Sequence, residues 1–213
     1  MESTIKRLSA DRDADCAAWK AIRAICCRTG DNGDPIAKER WDFFARLWIE
    51  PYEKLVPEWT YAAMSGGAVV GYLTGCPNTN RFTRSRFWRA DVPLLVQIVR
   101  GRHRGAADAP AFIRRILRLA QPVEARFSEA LRRRLSRSYP AHLHVNVEAE
   151  FRRAGLGRLL IEKYLTDLRR SGVGGVHLFC GAAPLEFYRR LDFQVLESVR
   201  LRDGGVFAMG RGL

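Results

Sequence analysis

The sequence predicts a mixed α/β domain with a helical insertion, and three observations predict it. Strand and helix patterns mix at both ends of the chain, and the stretch from Asn80 to Arg137 reads as helix alone. Near residue 150 a glycine-bearing loop joins an apolar strand directly to an amphipathic helix. The 213 residues suffice for one sizeable core and are too few for two comfortable ones, so a single domain over 1–213 is expected. The apolar content of 47% is that of an ordinary globular domain, and no run is long enough to span a bilayer.

Taken in order, Thr4–Arg7 is a short first strand, and Asp11 or Asp13 caps a helix reaching about Cys27, with Trp19, Ile22 and Cys26 at helical spacing. The turn-rich Thr29-Gly30-Asp31-Asn32-Gly33-Asp34-Pro35 ends it. A second helix covers Ile36–Glu50, followed by Pro51-Tyr52. Trp59–Met64 and Ala68–Cys76 are strands joined by Ser65-Gly66-Gly67, a strong hairpin signal. The insertion, about 80–137, breaks near Pro93, at Gly101–Pro110 and at Pro122. Ala141–Glu148 is again a strand, and Leu156–Arg170 a helix stopped by Ser171-Gly172-Val173-Gly174-Gly175. Val176–Cys180 is a strand and Leu185–Leu191 a short helix, with Pro184 suited to its first position. Phe193–Glu197 and Val206–Met209 pair around Asp203-Gly204-Gly205.

The net charge is +13, concentrated between Arg81 and Pro140, where 15 arginines and no lysine face four acids. Such a surface attracts phosphates, nucleic acid or acidic protein. Stacking aromatics are not regularly interleaved with the arginines, so a solvated helical face is preferred and no specific nucleic-acid or membrane partner is expected. The first residues lack the apolar centre of a signal peptide. The five cysteines, at 16, 26, 27, 76 and 180, form no zinc-like pairs of pairs. Reduced thiols in a cytoplasmic protein, without a metal site, are the expectation.

The chemistry concentrates in residues 142–160. A helix start presents unpaired N–H groups and partial positive charge, Gly155 and Gly157 admit a phosphate close to that backbone, and Arg152, Arg153 and Arg158 add charge for a diphosphate. Alone, a G-x-G before a helix is a weak signal. The run Arg152-Arg153-Ala154-Gly155-Leu156-Gly157, after a strand ending near Val147, resembles the acetyl-CoA motif of the GNAT superfamily. A helix and a strand later, Phe187-Tyr188-Arg189-Arg190-Leu191-Asp192-Phe193 resembles that family's Phe-Tyr-x-x-x-Gly-Phe box. Several short motifs, among them Thr29–Gly33, Pro51-Tyr52, Gly71-Tyr72, Tyr139–His144 and Gly175–Leu178, resemble a bacterial branch related to the acetyltransferase-like domain of O-GlcNAcase.

The resemblance implies a mixed sheet splayed between the motif strand and the strand after the helix, with acetyl-CoA as co-substrate in the gap. Backbone groups of Val145 and Val147 would bind the pantetheine arm and polarise the thioester. N–H groups from Arg153 to Arg158 would hold the diphosphate, and Tyr188 would be the general acid. Asp31, Asp34 and Tyr52 would border the pocket of the acceptor, a small-molecule amine or a protein or peptide amine. The chain departs from the family at Ala149 (usually Pro), Arg153 (often Gly) and Asp192 (Gly). It also lacks an Asn within Gly181-Ala182-Ala183-Pro184.

Amine acetylation needs a base as well as an acid. Strand alternation puts His142, His144, Asn146 and Glu148 on one face and Leu143, Val145 and Val147 on the other. Glu148 is the favoured base, with His144 behind it and water a further option; Cys180 as a nucleophile is remote. The alternatives to an active enzyme, monomeric or homodimeric, are a catalytically silent CoA-binding or protein-interaction module and a binder of nucleic acid or acidic partners through the insertion.

Overall fold

A computed structural model of the chain describes residues 3–201 and 204–213, except 12, 32, 104, 118 and 120–122. Among the described residues the sheet has seven strands: β1 (Ser3–Arg7), β2 (Thr60–Ser65), β3 (Ala68–Cys76), β4 (Ala141–Val147), β5 (Gly175–Cys180), β6 (Gln194–Leu201) and β7 (Gly204–Gly212). Their spatial order is β1-β2-β3-β4-β5-β7-β6, antiparallel except for β4 beside β5. That one parallel junction holds only two residue pairs, Ala141 with Val176 and His142 with His177. Beyond them the strands diverge. The β2–β3 turn uses Gly66 and Gly67, both left-handed at φ 57° and 81°, which matches a two-residue hairpin to the strand twist.

Helix α1 (Cys16–Arg28) packs Trp19, Ile22, Ile25 and Cys26 against Ala62 and Tyr72 on one sheet face. The expected caps fall differently. Asp13–Asp15 forms a 3-10 turn and Asp15 occupies the cap position, but its carboxylate bonds Lys6 and the Ser9 N–H at 2.6 Å instead of the helix end. The second expected helix, Ile36–Glu50, starts later, as a 3-10 turn at Lys38–Arg40 and then α2 (Trp41–Trp48). A further helix α3 (Glu50–Leu55) follows it, because Pro51 enters as a first-turn residue and not as a terminator.

The insertion has α4 (Thr79–Arg86), α5 (Val92–Val99), α6 (Ala109–Ile116) and α7 (Glu129–Ser138). No break occurs at Pro93. A π-helical turn over Phe87–Asp91 carries α4 into α5, with the Val92 N–H bonded to Phe87 O, and this widened turn accommodates Pro93, which has no N–H to give to the preceding turn. The break at 101–108 is real, with Gly101 at φ 92° and His103 at φ 61°. Asn32, Pro122 and Asp203, each given a turn or break role above, lie outside the described residues.

Helices α5 and α6 share a small core with α2: Phe43, Leu47, Leu94, Ile98, Ala109 and Phe112. Helix α7 covers β5–β7 with Phe127, Leu131 and Leu135 around Ala208. Under the opposite sheet face runs α8 (Leu156–Arg170), bounded as expected, with Leu160, Ile161, Tyr164, Leu165 and Leu168 at most 1% exposed. Burying each such side chain is worth about 1.5–3 kcal/mol, so this stripe anchors the sheet. Gly75 is required by it, since a Cβ there would lie 2.6 Å from the Tyr164 ring. Helix α9 (Leu185–Arg189) has Pro184 as its cap residue and ends two residues earlier than expected.

Candidate functional site

The open edge of β4 is the centre of the arrangement. The Glu148 N–H donates to Val70 O at 3.0 Å, toward β3. Bonding direction alternates along a strand, so the backbone groups of Val145 and Val147 turn the other way, into the space β5 has left. The side chains of Val145 and Val147 pack on the core shared with α8. The chain then makes a 3-10 turn at Ala149–Phe151 and enters α8 through two left-handed residues, Arg153 at φ 68° and Gly155 at φ 79°. Arg153 thus adopts the backbone that a glycine would take freely. The first helical bond is Leu159 N–H to Gly155 O, so the N–H groups of Leu156, Gly157 and Arg158 precede it. Apart from chain neighbours, no atom lies within 4 Å of where a Gly155 Cβ would stand, whereas one at Gly157 would stand 3.2 Å from Phe187. The two glycines therefore answer different demands, backbone handedness and close packing.

The arginines of the loop are not equivalent. Arg152 is turned away from the helix start: it donates through Nε to Val147 O at 3.1 Å and through Nη2 to Gly33 O at 2.7 Å. Arg158 is exposed and bonds Glu162 at 2.7 Å. Arg153 is exposed. The Arg152–Gly33 bond draws the 29–35 loop beside the motif, with Asp31 and Asp34 exposed on it and exchanging two backbone bonds of 3.0 and 2.8 Å. A second tie runs from the end of α1: Arg28 pairs with Glu148, Nε to Oε1 at 3.1 Å. Sequence reading missed Arg28 and the Gly33 carbonyl, because both partnerships span about 120 residues and no local pattern signals them.

Tyr52 lies elsewhere. It is 2% exposed, stacks on Phe82 and bonds His142 Nε2 through its hydroxyl at 2.7 Å, near the start of β4. The structure therefore does not gather Tyr52 with Asp31 and Asp34: they attach to opposite ends of β4, roughly 15 Å apart at strand rise. Between them sits His144, ringed by Trp48, Tyr52 and His142 at centroid distances of 6.5, 6.1 and 5.8 Å. His144 is nevertheless exposed, with these rings crowding it on one side. Desolvation by these neighbours, followed by the positive charge of Arg86, lowers its imidazole. Burial does the same to His142 and His177.

Across the gap, Tyr188 on α9 is 8% exposed, wedged between Phe187 and Phe193 at ring distances of 5.1 and 5.8 Å. Burial, with Cys180 adding to it, pushes its phenol far up, so it stays protonated. Cys180 ends β5, bonds Met209 Sδ at 3.6 Å, and burial pushes its thiol up to about 11, which keeps it from nucleophilic work. Asp192 takes φ 58° where the box has glycine, and Arg211 pairs with it at 3.3 Å. Among the described residues no cluster of His, Cys, Asp or Glu suits a metal ion.

A parallel pair that parts beside a helix N-terminus is the framework of one known class of proteins, and comparison of the whole fold bears this out. The chain superposes on SsHAT with a TM-score of 0.69 at 24% identity, covering 100% of this chain and 98% of that one. It matches a ribosomal-protein-alanine N-acetyltransferase from Brucella melitensis with a TM-score of 0.55 at 16% identity, over 99% of each chain. A GCN5-related N-acetyltransferase from Kribbella flavida gives 0.54 at 16% identity, over 99% of this chain and 98% of that one. No family model and no curated protein matches the sequence itself. The architecture is that of the GCN5-related N-acetyltransferases, the GNAT fold.

Proposed function

We propose that the protein is an acetyl-CoA-dependent N-acetyltransferase that transfers acetyl directly to a primary amine. The observation that carries this is the β4–β5 junction, closed for two residue pairs and then open beside a left-handed glycine cap with free helix N–H groups. These residues fit the co-substrate: the N–H groups of Leu156, Gly157 and Arg158 suit a diphosphate, Arg153 and Arg158 add charge, and the Val145 and Val147 edge suits an amide-bearing arm. Acetyl-CoA supplies the activated acetyl group. On the protein's side, a β4 N–H polarises the carbonyl, and the Tyr188 hydroxyl gives its proton to the departing thiolate. We assign the amine proton to His144, through water, in preference to Glu148. His144 is exposed and its imidazole is held neutral at working pH, whereas Glu148 is committed to Arg28. Asp31 and Asp34 on the tied loop suit a cationic amine. The named activity of the Brucella neighbour makes a protein amine one acceptor class to try. Within the superfamily we place the chain with the bacterial branch related to the O-GlcNAcase acetyltransferase-like domain, on its short motifs.

A silent CoA-binding module is the second reading. It is favoured by Arg152 occupying the Val147 carbonyl and by the missing Asn after β5. One experiment separates the readings: thermal melting with acetyl-CoA, beside an acetyl-transfer assay on a panel of amines and peptides. At a hundredfold excess over Kd the ligand adds about 2.7 kcal/mol, roughly 5–11 °C for a chain of this size. A shift with transfer supports the enzyme, and a shift without transfer supports the module. A curve unmoved by millimolar acetyl-CoA sinks both.

A further inference from the structure

The helix running from α4 through the π turn into α5 has an outer face that the catalytic reading leaves unused. Arg81, Arg84, Trp88, Val92, Val96 and Val99 follow one another at spacings of three, four, four, four and three, a single stripe along one helical surface. Its opposite stripe, Leu94 and Ile98, is buried on α2 and α6. On the outer stripe Trp88 is 66% exposed and Val99 69%, and Val92 is half-buried. Phe87 touches Trp88 edge-on at 5.0 Å and is itself exposed. Leu117 and Leu119, beyond the end of α6, are exposed as well. Six of the ten large apolar side chains left exposed among the described residues thus fall between residues 87 and 119. Apolar exposure this concentrated marks an interaction surface.

The charge around it has one sign. Residues 79–119 contain ten arginines, no lysine and two acids, and both acids are engaged: Asp91 with Arg86 at 3.3 Å and Asp108 with Arg40 at 2.8 Å. Two copies of this face would bring arginine against arginine, which disfavours self-association. Nucleic acid would engage the arginines and Trp88 but would gain nothing from Val96, Val99, Leu117 and Leu119. An exposed helical ridge that grades from arginine through tryptophan to valine instead matches an interface with an apolar layer beneath anionic groups.

We propose that this ridge docks the protein peripherally on an anionic lipid surface, the arginines on the headgroups and Trp88, Val96 and Val99 in the shallow acyl boundary. Among the described residues no helix is long and apolar enough to cross a membrane, so the attachment is interfacial. It is independent of the acetyltransfer reading.

The test is co-sedimentation of the full chain with phosphatidylcholine vesicles, with and without roughly a third phosphatidylglycerol. Binding should require the anionic lipid and weaken as salt rises. Arg84→Gln with Arg89→Gln should lower partitioning roughly tenfold or more. Trp88→Asp with Val96→Asp should abolish it while the melting temperature stays near the parent's, since both sites are exposed. Failure to bind anionic vesicles, equal binding by the Trp88 and Val96 variant, or tighter binding to polyglutamate or single-stranded DNA than to vesicles would each overturn the proposal.

Discussion

Tyr188 is buried and His144 is exposed beside aromatic rings, one on each side of the divergence, and desolvation moves them in opposite chemical directions: the phenol keeps its proton and the imidazole loses its own. That is the division of labour an acetyl transfer needs. Tyr188→Phe keeps the packing against Phe187 and Phe193 and deletes only the donor. Its kcat should fall about 10²–10⁴-fold with acetyl-CoA affinity unchanged, measured by single-substrate kinetics beside calorimetry. A core tyrosine without a role would lose a little stability and no turnover. For the base, His144→Gln should lower kcat by a similar factor, while Glu148→Gln should change kcat only a few fold because its carboxylate is spent on Arg28. The reverse ranking would restore Glu148. Strand alternation placed His144 and Glu148 on one face from the sequence alone, and the β4 burial and contacts agree. What alternation could not supply was each side chain's company: Trp48 and Arg86 around His144, and Arg28 on Glu148, come from distant helices.

At the scale of elements, the strand–loop–helix unit from Ala141 to Arg170 was the most legible part of the chain, because its signals are local. An apolar alternation, a pair of glycines and a helical stripe need nothing from elsewhere to be read. The helix Leu156–Arg170 accordingly starts and stops where expected. The errors fall where a proline could either end a helix or begin one. Pro51 begins one and Pro93 lies just past a π turn inside a continuing one, with Leu47, Leu94 and Ile98 packed into a common core. The loop also sharpens what a substitution at Gly155 does. Its surroundings are open, so Gly155→Val meets no neighbour, but the left-handed φ of 79° costs a branched residue about 1–2 kcal/mol. The new side chain would also stand where a diphosphate approaches the helix start. Isothermal titration should find acetyl-CoA affinity reduced by an order of magnitude or more, with the melting temperature lowered by only a few degrees. Affinity equal to the parent's would remove the loop from the binding site.

For the molecule as a whole, buried histidines tie stability to acidity. His142, half-buried, and His177, 5% exposed, have folded-state imidazoles held by burial below the unfolded value near 6.5. Between the folded and unfolded values the unfolded chain binds more protons than the folded one, so stability rises with pH. Their contribution is complete above pH 6.5 and is lost as the pH falls through the lowered folded-state values. Denaturant melts across pH 4–7 should show this slope, and His177→Gln should flatten it. The two-pair junction has a different consequence, one for how the chain can be divided. Backbone bonding splits the sheet into β1–β4 and β5–β7–β6, joined by two residue pairs, and the core under α8 does the rest by drawing Tyr61, Leu73 and Leu143 from one half and Val176, Leu178 and Met209 from the other. The link between α8 and β5 is exposed at Ser171, Gly172 and Gly174. A chain cut there keeps every strand pairing within its fragments except those two, so separately expressed pieces 1–172 and 173–213 should reassemble into one particle that elutes with the intact protein.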